Sequence, residues 1–104
     1  MLTAIIPTLN RPVDLLKAVN SVCHQSKLPE ELIIVDQSRN KLSFIAITKI
    51  MKKTPLIKFV YIHDPKIGGL VDAKRRAVLV AKGNLICFLE DDVILEPDYL
   101  KQIE

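Results

Sequence analysis

Four short apolar runs alternate with longer amphipathic segments along this chain, and that alternation is what most constrains its fold. The runs are Leu2–Pro7, Leu32–Val35, Ile57–His63 and Leu85–Leu89, and their apolar and β-branched residues predict strands. Their almost unbroken apolar character predicts burial on both faces of a sheet. Because strands that alternate with helices form parallel sheets with right-handed crossovers, we expect an α/β fold with flanking helices.

The segments between the strands have helical spacing. The first helix begins at Pro12, where a first-turn proline is tolerated, and Asn10 is the residue expected to cap it. Gly68–Gly69 opens a third helix, Gly83 is expected to end it, and Pro97 is expected to begin a fourth. The apolar positions that define these helices are Leu15, Leu16, Val19, Val22 and Cys23 in the first, Leu42, Ile45, Ala46, Ile50 and Met51 in the second, and Val71, Ala73, Ala77, Val78 and Ala81 in the third.

Polar residues follow three of the four predicted strands. They are Pro7–Arg11 after the first strand, Asp36 after the second, and Glu90–Asp92 after the fourth. Ligands of open parallel sheets bind outside the carboxyl ends of the strands, at the point where the strand order reverses. We therefore expect these three segments to form one site.

The three carboxylates of Glu90–Asp92 directly follow an apolar run. Adjacent like charges repel, and Mg²⁺ or Mn²⁺ relieves that repulsion because such cations prefer hard oxygen ligands. In an extended segment Glu90 and Asp92 share one face and Asp91 points away. An acidic turn in solvent, or carboxylates at a helix start, is the other interpretation.

Two further features are compatible with a nucleotide ligand. The Asp36 carboxylate accepts hydrogen bonds and suits a base or ribose, although a solvated loop residue or helix cap is equally consistent with its position. Lys74–Arg76 lies near the start of a helix, where backbone N–H groups favour phosphate. On its own, this basic run is typical of a solvated helix face. Neither GxxxxGK[ST] nor GxGxxG occurs, so the standard phosphate loops are excluded.

Composition narrows the classes of partner and location. The net charge is +3, but Trp is absent and aromatic residues make up only 5%, so we expect no nucleic acid partner. No apolar run is long enough to span a membrane and no signal peptide is recognised. Cys23 and Cys87 lack CxxC partners and are expected to be reduced, buried thiols in a cytoplasmic protein. The basic balance permits loose peripheral contact with an anionic membrane surface.

A set of segments occurs in a fixed order: Thr3–Arg11, Leu15–Val22, Ile33–Asp36, Gly69 to Arg75, Gly83, Phe88–Asp92 and Pro97–Leu100. Together they resemble the nucleotide-binding half of family 2 glycosyltransferases, over nearly the whole chain. The resemblance implies a glycosyltransferase-A fold, which is a Rossmann-like parallel sheet, here truncated, with strand order 3-2-1-4. It implies transfer of a sugar from a nucleotide-sugar donor, most often a UDP-sugar, to an acceptor hydroxyl on a saccharide, lipid-linked molecule or protein.

The resemblance also implies roles for individual residues. The donor-binding residues it implies are Pro7, Thr8, Asn10, Arg11, Asp36, Lys74, Arg75, Glu90 and Asp91. Asp92, with Glu90, would bind Mg²⁺ or Mn²⁺ as part of a DXD motif. Glu90 stands where the family more often has Asp, Arg75 where it often has Asn, and Gln37 and Arg39 where small or acidic residues are common. No catalytic base is assigned within the chain.

Length leads to a further expectation. Family members continue into an acceptor-binding half, so residues 1–104 are expected to form a single nucleotide-sugar-binding domain, the N-terminal part of a longer enzyme. A sheet that normally continues would expose an unpaired edge and an apolar helix face, so we expect self-association.

Three other classes of protein share this architecture. A non-catalytic nucleotide- or partner-binding module would keep every donor-side residue. A phospho-receiver domain would need a carboxylate pair after the first strand, where Pro7–Asn10 stands, and a phosphoacceptor after the third, where only Asp64 is available. A sugar nucleotidyltransferase would open with a Gly-rich basic loop after the first strand, and none is present.

Overall fold

A computed structural model describes residues 1–104, and strands alternate with helices throughout. The elements are β1 (Leu2–Thr8), α1 (Pro12–Cys23), β2 (Glu31–Asp36), α2 (Leu42–Lys53), β3 (Lys58–His63), α3 (Leu70–Val80), β4 (Leu85–Phe88) and α4 (Tyr99–Ile103). Every predicted strand and helix is present, and the boundaries differ from prediction by at most about two residues. No helix is both long enough and apolar enough to cross a bilayer.

The four strands form one parallel sheet in the order β3-β2-β1-β4. Ile5 of β1 is aligned with Ile33 of β2 on one side and with Phe88 of β4 on the other. Every residue of β1 and β2 is buried, whereas β3 and β4 are partly exposed at the edges. The predicted parallel sheet and its strand order 3-2-1-4 are confirmed.

Alternate side chains of the central strands enter two apolar layers. On one face Ile6 and Ile34 belong to a large core with residues of α1, α2 and α4, including Leu15, Ile47 and Leu100. On the other face the core is smaller, and Ile5, Ile33 and Val35 pack there with Ile67 and with Ala73 and Ala77 of α3. The helices are therefore unevenly distributed, with three on one face and one on the other.

Two predictions about helix ends are wrong, one for Asn10 and one for Gly83. Asn10 does not cap α1: the N-cap position is Arg11, without a side-chain cap bond. Asn10 instead has φ of 55° in the turn after β1, a left-handed conformation that asparagine tolerates, and its N–H donates to Ser38 Oγ at 2.8 Å. Gly83 does not end α3, because the chain becomes extended already at Ala81.

Gly83 is required by a close approach of the backbone. A Cβ at this position would lie 2.8 Å from the nitrogen of Thr3 and 2.9 Å from the carbonyl oxygen of Met1. The Gly83 N–H donates to Thr3 Oγ1, which in turn donates to Oε1 of the buried Glu31. Glu31 Oε1 also accepts the N–H of Lys82. This network fastens the α3–β4 connection to the amino end of the sheet.

The segment that follows the acidic triplet is held against α1. The buried side chain of Gln25 donates to the carbonyl oxygen of Glu96 at 2.6 Å and accepts the N–H of Leu100 at 2.9 Å. The N–H of Ser26 donates to the carbonyl oxygen of Pro97. The loop between β4 and α4 is therefore fixed at its carboxyl end, and the acidic triplet lies at its start.

Candidate functional site

A cleft of about 430 Å³ lies at the carboxyl ends of β1 and β4. It is lined by Pro7, Thr8, Leu9, Arg11, Gln37, Leu70, Lys74, Phe88, Leu89, Glu90, Asp91 and Asp92. The structure thus brings together the loop after β1, the start of α3 and the acidic triplet after β4. Parallel strands place their carboxyl ends at one edge, which is why segments separated by about 80 residues meet there.

Asp91 connects the acidic triplet to the loop after β1. Thr8 Oγ1 donates to Asp91 Oδ2 at 2.9 Å, and Arg11 Nη1 lies 3.5 Å from Asp91 Oδ1. The sequence predicted that Asp91 would point away from the face shared by Glu90 and Asp92, yet all three line the cleft. The prediction assumed an extended segment, but β4 ends at Phe88 and residues 91 and 92 form a turn.

Arg11 is the cation that balances these carboxylates. Its Nη1 lies 3.5 Å from both Asp91 Oδ1 and Asp92 Oδ2. The Asp91 side chain is 12% exposed, whereas those of Arg11 and Asp92 are each about half exposed at 52% and 51%. Asp91 is therefore a largely buried anchor, and Asp92 keeps an open side toward ligands.

Lys74 is the second cation of the cleft, and α3 positions it. Gly69, at the N-cap of α3, has φ of 107°, a conformation that only glycine adopts readily. This turn aims the start of α3 at the cleft, where Leu70 and Lys74 both line the wall. Lys74 Nζ lies 5.1 Å from the centre of the Phe88 ring and makes no ion pair. An aromatic face thus supports an ammonium group that is free to meet an anion.

Asp36 is buried beneath the cleft and does not line it. One of its oxygens accepts the N–H of Ser38 at 2.9 Å, and the other accepts the hydroxyl of Tyr61 at 2.6 Å. His63 Nε2 lies 4.0 Å from the same carboxylate and 2.7 Å from the carbonyl oxygen of Ser38. Burial, followed by the hydrogen bond and negative charge of Asp36, raises the pKa of Tyr61 above its ordinary value. Asp36 holds the loop after β2 in place.

Two other predicted donor-binding residues lie outside the cleft. Arg75 is exposed and pairs with Asp72 at 3.5 Å. Asn10 lines a neighbouring cavity of about 470 Å³, which shares Leu9 and Gln37 with the cleft. The two cavities adjoin at these shared residues, and the second lies toward the loops after β2 and β3.

Several residues of the cleft were not predicted from the sequence. Leu9, Gln37, Leu70, Phe88 and Leu89 line the cleft besides the charged residues. Four of them end or directly follow a strand, and Leu70 directly follows Gly69. Position at a strand end was the available signal, and Leu9 lies within the Pro7–Arg11 segment that was predicted to form the site.

The acidic triplet contains a suitable but incomplete set of metal ligands. No group of three or more His, Cys, Asp or Glu side chains is arranged to hold a metal ion. Glu90 and Asp92 are both exposed at the cleft, and carboxylate oxygens are the donors that Mg²⁺ and Mn²⁺ prefer. Because Mg²⁺ is commonly held by one or two carboxylates plus substrate phosphates, these residues fit a cation that a bound ligand completes.

Comparison with known protein families shows the family to which this sequence belongs. The sequence model described as Glycosyl transferase family 2 matches residues 3–103. The chain belongs to glycosyl transferase family 2. No curated protein is similar enough to the sequence to count as a match.

Solved structures of other proteins share the fold of this family 2 chain. A mannosyltransferase from Pyrobaculum calidifontis, in complex with GDP-Man and Mn²⁺, has a TM-score of 0.78 at 19% identity over 88% of this chain and 27% of its own. TarS from S. aureus in complex with UDP has a TM-score of 0.79 at 20% identity over 98% of this chain and 30% of its own.

A third similar structure is glucosyl-3-phosphoglycerate synthase from Mycobacterium tuberculosis, in complex with Mn²⁺, UDP and glucosyl-3-phosphoglycerate. Its TM-score is 0.69 at 19% identity over 93% of this chain and 36% of its own. The chain thus spans 27–36% of the length of these three structures. These likenesses show the glycosyltransferase-A fold, and the family 2 chain corresponds to its N-terminal part.

Proposed function

We propose that this chain is the donor-binding half of a metal-dependent glycosyltransferase that moves a sugar from a nucleotide-sugar donor to an acceptor hydroxyl. The observation that carries the proposal is the cleft in which Lys74 and Arg11 face the carboxylates of the acidic triplet. The charge of a nucleoside diphosphate is balanced by positive side chains and by a divalent metal ion. This cleft has Lys74 and Arg11 for the first and carboxylates that can bind the second. The complexes of similar structures with UDP and GDP-Man support this ligand class.

Each part of the donor has a proposed position. The diphosphate lies between Lys74 and the start of α3, where free backbone N–H groups favour anions. Pro7 and Thr8 border the nucleotide, and the base extends toward the neighbouring cavity that Asn10 lines. Asp36 supports that side of the site, and contact between its carboxylate and the base requires Tyr61 to release it. Arg75, at the exposed side of α3, reaches the donor only by leaving Asp72.

Glu90 and Asp92 are the proposed ligands of Mg²⁺ or Mn²⁺, which gives this segment the role of a DXD motif. When bound, the cation stabilises the negative charge that develops on the departing diphosphate. Asp91 keeps the segment in position through Thr8 and Arg11. The Mn²⁺ in two of the similar structures supports use of a divalent metal.

The test of this proposal is titration of UDP into the protein with and without Mn²⁺, measured by calorimetry. Asp92→Asn should abolish the Mn²⁺-dependent part of binding. Asp14→Asn is the matched control, because Asp14 is an exposed carboxylate outside the cleft that makes no ion pair or side-chain hydrogen bond. Parallel titrations with GDP and dTDP define the base. If none of the three diphosphates binds, or if Asp92→Asn binds as the wild type does, the donor site is refuted.

A binding-only module is the alternative function, since the donor-side residues alone do not assign a catalytic base or an acceptor. Hydrolysis or transfer of the donor sugar by the protein would eliminate this alternative. The enzymatic proposal is supported by membership of family 2 over residues 3–103.

Location and assembly are further parts of the proposal. The thiols of Cys23 and Cys87 are both free, which supports a reducing compartment such as the cytoplasm, with the chain free or at a membrane surface.

Self-association is proposed through β4, which pairs only with β1, and through exposed apolar side chains of α3 such as Val71 and Leu79. Sedimentation of the chain as a monomer at high concentration would contradict this assembly.

A further inference from the structure

A basic groove runs between α1 and α2, on the face of the sheet away from α3. Its volume is about 790 Å³, and its apolar side chains are those of Leu16, Cys23, Ala46 and Ile50. Lys17 and His24 of the α1 side and Lys49 and Lys53 of α2 line it as well, and no acidic residue does. The groove is separate from the donor cleft, with which it shares no residue.

The lysines of this groove have no anionic partner in the chain. None of Lys17, Lys49 and Lys53 takes part in an ion pair. For Lys49 and Lys53 the local sequence contributes to this, since residues 37–63 contain six Lys and Arg residues and no Asp or Glu. A chain of net charge +3 thus concentrates uncompensated positive charge on one side. Such a surface attracts anions at long range.

Exposed apolar side chains lie beside these lysines. Leu56 is 81% exposed. It lies two residues after Thr54 of the groove and three after Lys53. On α2, Ile45 is 64% exposed, one turn before Lys49. Lysines interspersed with exposed aliphatic side chains suit the boundary between lipid headgroups and acyl chains.

We propose that the α1–α2 groove binds the surface of a membrane that contains anionic lipids, with lipid phosphates against Lys17, Lys49 and Lys53 and Leu56 inserted among the acyl chains. The chemistry favours lipid over two other polyanionic partners. Base stacking at nucleic acid sites uses aromatic side chains or Arg, and His24 is the one such residue that lines the groove. Protein interfaces concentrate Tyr, Trp and Arg as anchors, which are also absent.

This inference sharpens the proposed location and is independent of the donor cleft. It is tested by co-sedimentation of the full chain with vesicles of phosphatidylcholine, with and without phosphatidylglycerol. The chain should bind only the vesicles with phosphatidylglycerol, and added salt should weaken binding. Lys49→Gln with Lys53→Gln should reduce partitioning roughly 30-fold, since each lysine near such a surface contributes about fivefold. Leu56→Ser should reduce it further.

The control is Lys66→Gln with Lys82→Gln, two exposed lysines that flank α3 on the opposite side of the sheet and change the net charge equally. This pair should leave partitioning within about twofold, and circular dichroism should show that both double variants fold. Equal loss in both variants, or no binding to phosphatidylglycerol, overturns the proposal. So does binding of a single-stranded oligonucleotide, with no binding of vesicles, which would assign the surface to nucleic acid. UDP titration of the same variants reports on the donor site separately.

Discussion

Arg11 and Asp92 face each other across the cleft, with Arg11 Nη1 3.5 Å from Asp92 Oδ2. The guanidinium thus pairs with an oxygen of one of the two carboxylates that are proposed to bind a divalent cation. In the absence of donor, Arg11 and a metal ion therefore compete for the Asp92 carboxylate. When a diphosphate is bound, the positive charges of Arg11 and of the metal ion both stabilise it.

Replacement of Arg11 should separate these two effects. In Arg11→Gln, affinity for Mn²⁺ alone should rise about 1.4- to fivefold, because a half-exposed ion pair contributes roughly 0.2–1 kcal/mol. Affinity for UDP should fall, because a cation near the diphosphate is lost. Electron paramagnetic resonance of free Mn²⁺ measures the first effect and calorimetry the second. Arg75→Gln, outside the cleft, should leave Mn²⁺ affinity unchanged; a fall in Mn²⁺ affinity for Arg11→Gln would contradict the competition.

Loss of the Tyr61 hydroxyl should destabilise the fold. Tyr61→Phe leaves an oxygen of the buried Asp36 without its 2.6 Å donor, which should cost about 1–3 kcal/mol in the free energy of unfolding by urea. Tyr99→Phe is the matched control: Tyr99 is exposed and its hydroxyl makes no hydrogen bond, so the change should stay within about 0.5 kcal/mol. Equal effects of the two substitutions would contradict a role for the Tyr61–Asp36 bond.

The same tyrosine should produce an alkaline loss of stability. Burial and Asp36 raise the pKa of Tyr61 in the folded chain, so its contribution is fully present below the ordinary phenol value of about 10 and is lost as pH rises above it. In the Tyr99→Phe background, absorbance of phenolate at alkaline pH reports Tyr61 alone, because the sequence has two tyrosines. Phenolate should appear only as the chain unfolds; normal titration in the folded state would refute the assignment.

Asp64 should contribute to stability at acid pH. The backbone N–H of Lys66, and then the guanidinium of Arg76 at 2.9 Å, lower the pKa of Asp64. A lowered pKa in the folded state means that the contribution is present above about pH 4 and is lost as pH falls through the folded value. Asp64→Asn should therefore flatten the dependence of urea midpoint on pH below 4, whereas Asp14→Asn should not. If the urea midpoint of Asp64→Asn depends on pH below 4 as that of the wild type does, the Asp64–Arg76 pair does not contribute to stability there.

The two glycines flanking α3 should respond oppositely to alanine. Gly83→Ala places a Cβ within 3 Å of backbone atoms of Met1 and Thr3, and such overpacking costs about 1–3 kcal/mol. Gly68→Ala meets no atom within 4 Å, and its φ is not in the left-handed region, so the change should be neutral or stabilising by up to about 1 kcal/mol. The midpoint of thermal unfolding of each variant is compared with that of the wild type. If Gly83→Ala is as stable as the wild type, the α3–β4 connection can move to accommodate the Cβ.

The sheet could be predicted from the sequence because its signal is local and repeated. The unbroken apolar runs of β1 and β2 require burial on both faces, and a parallel sheet with helical crossovers satisfies that requirement. The rule that ligands lie at the carboxyl ends then brought Thr8, Arg11 and the acidic triplet to one edge. The cleft contains seven of the predicted site residues for this reason.

The details that depend on turns and long-range contacts were not predictable in the same way. Asp91 lies against Thr8 because the strand ends at Phe88, and a strand end is poorly marked in an apolar run that continues to Leu89. Gly83 is fixed by Met1 and Thr3, far away in the sequence. Asp36 was assigned to ligand binding from its position and from the family resemblance, whereas its hydrogen bond from Tyr61 of another strand is a long-range contact that the sequence does not mark.

The strand order gives the chain a definite sequence of assembly during its synthesis. β1 is made first yet lies in the interior of the sheet, with β2 on one side and β4 on the other. β1 and β2 can pair early, whereas Thr8 waits for Asp91, 83 residues later, before the cleft has its second wall. Pulse proteolysis of ribosome-bound chains of increasing length would detect this step, as protection of β1 gained only after β4 emerges. A nascent chain thus carries one unpaired side of the buried strand β1 until β4 emerges, which makes early chaperone contact with β1 the expected safeguard against aggregation.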